Sequence, residues 1–172
     1  MKKFLLGLGL LAFTLTCYAQ DLKLTLTLDK IQINKLSEEG ADEIYFSVVE
    51  FPSNGKGELK TIPEHPLYWS SEHVDKIKNL TLWNNSLKSG QSVEILVSLV
   101  EHDIAPWNTD DLLGAFKLQI KNDNGKLVTQ WSGKNAKDEV SAVSGQDKQR
   151  VYTLVGEGGE YKLYVSLAKA KQ

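Results

Sequence analysis

Two intervals of the chain collect carboxylates and exclude cations. Between Lys88 and Lys117 there is no Lys or Arg, and the interval holds Glu94, Glu101, Asp103, Asp110 and Asp111. Between Lys35 and Lys56 the same is true, with Glu38, Glu39, Asp42, Glu43 and Glu50. Each interval therefore carries a charge of −5. Carboxylates aimed at one point repel and desolvate one another, which costs stability unless a proton or a cation compensates. Hard oxygen ligands on loops suit calcium, which accepts about six to eight of them in loose geometry. Scattered acids on loops would simply be solvated, so the elements that carry them decide between the two outcomes.

Those elements read as strands. Leu22, Leu24, Leu26 and Leu28 alternate with Lys23, Thr25 and Thr27, the period-2 pattern of a half-buried strand, and the apolar phase then moves to Ile31 and Ile33 across a bulge or turn at Asp29-Lys30. Ile44, Phe46 and Val48 continue the alternation, as do Val93, Ile95, Val97 and Leu99. Phe116, Leu118 and Ile120 lead to Asn124-Gly125, a hairpin signal, and on to Leu127 through Trp131. A last pair, 151–155 and 161–167, joins at Gly158-Gly159. Helical patterning is scarce: Ser71 caps a short helix through Asn79 with Val74 and Ile77 inward, and 136–143 is a weaker candidate. The expected fold is all-β, an antiparallel eight-stranded sandwich with one short helix.

Parity then places the acids. The core-facing phase of Val93 to Leu99 runs on into Glu101 and Asp103, and Asp42 shares the phase of Ile44, Phe46 and Val48. One set closes its strand and the other opens its own. If the two strands are antiparallel, both sets fall on one rim of the sandwich.

The 172-residue chain is long enough for one domain with a sizeable core. Lys2 and Lys3, the apolar run Phe4 to Phe13 and the small-residue pattern Cys17-Tyr18-Ala19 read as a bacterial-type secretory signal peptide over 1–19, leaving a single domain over 20–172. Cleavage would remove the only cysteine and leave a charge of −4, so the chain outside the two acidic intervals carries +6. The expected location is the periplasm or the extracellular space. A chain without strong net positive charge is not a nucleic-acid binder.

At the acidic rim the residues resemble a known family. The stretch Leu96-Val97-Ser98-Leu99-Val100-Glu101-His102-Asp103, followed by Asp110-Asp111-Leu112-Leu113-Gly114-Ala115-Phe116, resembles the third calcium-binding loop of C2 domains, with Glu101 where Asp is usual. Gly40-Ala41-Asp42-Glu43-Ile44-Tyr45-Phe46 more loosely resembles the segment at that family's first loop. The resemblance implies a C2-like sandwich that binds calcium and phospholipid. It implies Asp42, Glu101, Asp103 and Asp111 as ligands, with Asp110 as an alternate.

Ile104-Ala105-Pro106-Trp107 lies between the carboxylates, where a loop tip is expected. Ile104 and Trp107 are candidate membrane contacts, since an indole suits a membrane interface and burying such groups supplies on the order of 2–3 kcal/mol. That is too little for stable anchoring alone, and a cation bridging to anionic headgroups would add to it. Catalysis finds little support: His65, His73 and His102 show no zinc spacing, and no nucleophile motif is present. The expectation is a monomeric, non-enzymatic module binding Ca2+ and an anionic phospholipid membrane. Alternatives are a host or envelope protein as partner, or a glycan held on aromatic residues such as Tyr68-Trp69.

Overall fold

The computed structural model describes residues 20–103, 109–134, 136–140 and 149–170. Alternation of apolar and polar side chains runs through most of this chain, and it folds as strands packed in two antiparallel sheets. The strands are β1 (Leu22–Lys35), β2 (Glu43–Pro52), β3 (Glu58–Ile62), β4 (Trp69–Ser70), β5 (Lys78–Leu87), β6 (Ser92–Glu101), β7 (Asp111–Asp123), β8 (Lys126–Lys134), β9 (Ala136–Val140), β10 (Arg150–Gly156) and β11 (Gly159–Lys169). One sheet has the order β5-β1-β11-β10-β9. The other has the order β3-β2-β6-β7-β8, with β4 beside the start of β2. The expected all-β sandwich is what forms.

The core lies between the sheets. Leu22, Leu24, Leu26 and Leu28 of β1 meet Ile44, Phe46, Ile95, Val97, Leu99, Phe116 and Leu118 across one continuous apolar cluster. Each such side chain fully removed from water contributes roughly 1.5–3 kcal/mol. Phe116 stacks on Tyr152 with ring centroids 4.6 Å apart and on Trp131 at 6.3 Å, and Arg150 covers the outer face of Trp131. The β1 bulge falls between Leu28 and Lys30, where the shift of apolar phase placed it. Asn124 and Gly125, both at positive φ, make the two-residue turn between β7 and β8.

Four expectations need correction. The strands number eleven among the described residues, not eight: β3 buries only Ile62, β4 is two residues long, and the asparagines of β5 hide its pattern. The helix is a 3-10 turn over Ser71–Lys76, and it is Ser70, not Ser71, whose hydroxyl accepts from the Glu72 N–H. Ala136–Val140 forms strand β9, because it pairs with β10 and so gains a ladder that helical propensity does not supply. The last hairpin turns at Glu157-Gly158, with Gly156 opposite Gly159. Residues 1–19 lie outside the described residues, as do Ile104 and Trp107.

Candidate metal centre

Pairing between β2 and β6 is antiparallel and sets Ile44 opposite Glu101. The start of β2 and the end of β6 therefore share a rim, as parity required. Across β6 and β7 the register sets Glu101 opposite Asp111. Like charges directly opposite in a ladder destabilise it, so this pairing is a local cost.

A bulge turns Asp111 toward that rim. Phe116, Leu118 and Ile120 are buried at even positions of β7, yet Leu113 is buried at an odd one. The register slips between Leu99–Gly114 and Val100–Leu112, and this slip moves Asp111 into the phase of Leu113. Gly114 makes the slip possible. Its φ is +154°, and a Cβ there would stand 2.8 Å from Cβ of the buried Leu154.

The carboxylate oxygens of Glu101, Asp103 and Asp111 consequently lie within 4.8 Å of one another. A second trio, Glu38, Glu43 and Glu101, meets the same limit and shares Glu101. Glu101 is only 3% exposed, and it accepts a long hydrogen bond, 3.5 Å, from the Glu43 N–H. Burial pushes its carboxyl up to about 8, and the charge of Asp103 and then of Glu38 adds to the effect. Asp103 is half-buried, and its Oδ2 is buried without a hydrogen-bond partner among the described residues. A buried carboxylate oxygen left unpaired is costly, and a cation is one way to satisfy it.

Two of the expected ligands stand elsewhere. Asp42 is fully buried, as its phase implied, but its carboxylate accepts from the N–H groups of Ser37 at 3.0 Å and Glu38 at 3.4 Å and from the Tyr161 hydroxyl. Its own N–H donates to Ser71 Oγ at 2.9 Å. Asp42 thus fastens the 36–42 loop to β11 and to the 3-10 turn, and by holding the Glu38 N–H it places Glu38. Burial, reinforced by the Asp42 carboxylate, pushes the Tyr161 hydroxyl well above its usual range, so the hydroxyl remains a donor. Asp110 accepts from the Tyr45 hydroxyl at 2.8 Å and the Asp103 N–H at 3.2 Å, and lies 3.1 Å from His102 Nδ1. Burial opposes its charge, but these three partners together hold the carboxyl below its ordinary value. It ties Tyr45, His102 and the Asp103 backbone together, and His102 lies on the opposite strand phase from Glu101.

Glu38 and Glu43 are the site residues that periodicity does not find. Glu38 lies in a loop, where no period applies, and Glu43 belongs by parity to the outer face of β2. The only advance signal is their membership of a cation-free acidic interval.

A calcium ion about 2.3–2.6 Å from each ligand can join oxygens roughly 5 Å apart, whereas magnesium at about 2.0–2.1 Å demands a tighter and more regular set. The oxygens of the Glu101, Asp103 and Asp111 trio are close enough together to share one divalent ion. Comparison with protein-family models and with curated proteins finds no match to this chain.

Proposed function

We propose that this chain is an exported, non-enzymatic β-sandwich module that binds calcium at its acidic rim and, so loaded, engages an anionic phospholipid membrane. One observation carries the reading: Glu101 is buried at the end of β6, close to Asp103 and Asp111, and among the described residues no cationic side chain pairs with any of the three. Such an arrangement is unfavourable in itself and becomes favourable around a divalent ion. Glu101, Asp103 and Asp111 would hold the ion, with Glu38 and Glu43 close to Glu101 as well. The ion would supply positive charge at the rim for lipid phosphates, and Ile104 and Trp107, between Asp103 and Asp110 in the chain, would enter the interface.

Extracellular calcium modules typically have Kd values around 10⁻⁴–10⁻³ M. A ligand that binds only the native state adds stability by mass action, about 1.4 kcal/mol at a tenfold excess over Kd, and so raises Tm. Millimolar calcium should therefore raise the Tm, magnesium should raise it much less, and Asp103→Asn should abolish the calcium effect. Equal melting curves in calcium and in chelator would overturn the metal reading and leave the fold untouched.

A further inference from the structure

Asparagine is a chemically labile residue, most of all before glycine, and that dipeptide occurs twice among the described residues, as Asn54-Gly55 and Asn124-Gly125. Both stand at the rim opposite the acids: β2 and β7 start at Glu43 and Asp111, so the turns that follow Pro52 and Asp123 lie at their far ends. Both asparagines are exposed. With no Cβ on the glycine, its backbone nitrogen can approach the asparagine Cγ closely. An N–Cγ bond then forms, the Cγ–Nδ2 bond breaks, and ammonia leaves with the glycine's proton. Water opens the resulting succinimide ring to an aspartyl or isoaspartyl residue. One water enters for each ammonia lost, and the turn gains a negative charge.

The surroundings of the two sites differ. Asn54 and Gly55 lie in the 53–57 loop, neither at a left-handed φ and neither hydrogen-bonded among the described residues. Asn124 and Gly125 are both at positive φ in the tight turn between β7 and β8. The Gly125 N–H, which would have to give up its proton, donates to Asn122 Oδ1 at 2.7 Å. Asn122 is itself fixed, because it is fully buried and its Nδ2 donates to the carbonyls of Gln20 and Leu87, each at 2.8 Å. The side-chain oxygen of Asn124 accepts from Ser89 Oγ at 3.1 Å.

We infer that Asn54 is a site of spontaneous deamidation and that the buried Asn122 is a latch that keeps Asn124 from the same reaction. Ring closure at Asn124 must first break the Gly125 and Ser89 hydrogen bonds, which slows it by at least roughly tenfold relative to Asn54. The same dipeptide on the same rim thus has two fates, set by what the glycine N–H meets.

The test is to incubate the full chain, after removal of any leader, in warm, mildly alkaline buffer and to follow both sites by peptide mass spectrometry. Cleavage after lysine separates them into the peptides 36–56 and 122–126. In the folded chain Asn54 should convert to the aspartyl and isoaspartyl forms at least roughly tenfold faster than Asn124. In urea the two rates should converge, because the dipeptides are identical and only the fold distinguishes them. Asn122→Ala frees the Gly125 N–H and should bring the Asn124 rate up toward that of Asn54, with a cooperative melting transition showing that the variant is folded. Where Asn122→Ala does not fold, Ser89→Ala, a change at an exposed position, should speed Asn124 severalfold and leave Asn54 unmoved. Equal rates in the folded wild type would overturn the inference. A gap that persists in urea would do the same by assigning it to flanking residues, as would an Asn124 rate unmoved in the folded variant.

Discussion

Replacing Glu101 with Gln should make the ion-free protein more stable at pH 8 and at the same time abolish its response to calcium. The Glu101 carboxyl titrates at about 8 in the folded chain against an ordinary value of 4.5. The folded state therefore holds this proton more tightly than the unfolded state does. By linkage, the associated stability is fully present below about 4.5 and is lost as the pH rises through about 8. At about 1.4 kcal/mol per unit, the whole interval corresponds to an upper bound of about 5 kcal/mol. Relaxation at a rim open to water on one side reduces this to about 2–3 kcal/mol. Glutamine keeps the shape, cannot ionise, and offers an amide N–H toward Asp103 Oδ2, a buried oxygen without a partner among the described residues. Melting in chelator at pH 5 and pH 8 measures the effect. Wild-type Tm should fall by about 5–10 °C between the two, and the variant should stay level. Calcium at pH 8 should restore the wild type and leave the variant unmoved. A variant less stable than wild type at pH 8 in chelator would show that the charged carboxylate is a stabilising group, and the case for a frustrated rim would fail.

Two further changes probe the parts that position the site. Gly114→Ala places a methyl group 2.8 Å from Leu154 Cβ at a backbone angle that side chains rarely adopt, so it should cost about 1–3 kcal/mol and, by shifting the bulge, weaken the calcium-dependent rise in Tm; unchanged calcium titrations would mean that Asp111 is not a ligand. Tyr161→Phe removes a donor from the buried Asp42 carboxylate and should cost about 1–3 kcal/mol by denaturant titration, with a calcium effect reduced only as far as the Glu38 loop loosens.

The parts of the site that could be read from sequence are those controlled by strand period. A strand cannot put Ile95, Val97 and Leu99 inward without doing the same to Glu101, so the burial of that acid followed from alternation alone. Asp42 was placed inward by the same argument, but its role was not visible. Its partner Tyr161 is contributed by β11, at the far end of the chain, and no local pattern joins them. Asp111 depends on a bulge, and the only sequence trace of that bulge is Gly114. Glu43 shows the limit of parity, since it opens β2 on the outer phase and yet its carboxylate comes within reach of the inward Glu101 at the strand end. The edge strands β3 and β5 failed for a related reason: β3 is mostly exposed and β5 only partly buried, so apolar alternation is not required of them.

The carboxylates divide by the sign of their contribution to the ion-free fold, and that sign separates ligands from scaffold. Asp42 and Asp110 each have donors facing them, so removing either leaves donors unsatisfied and lowers stability with or without calcium. Glu101, Asp103 and Asp111 mainly face one another, so neutralising any of them relieves repulsion and raises ion-free stability while removing an ion ligand. On the proposed reading, part of the ion's binding free energy would offset that repulsion and keep the affinity in the weak range. The fold tolerates the arrangement because the acids stand at strand ends, Glu101 past Leu99 on β6 and Asp111 at the start of β7, at the margin of the apolar layers between the sheets. Neutral substitutions at all five positions, melted in chelator, should therefore fall into two groups of opposite sign. If Asp103→Asn and Asp111→Asn destabilise the ion-free chain as Asp42→Asn does, the three acids are ordinary structural partners and the rim is not a calcium site.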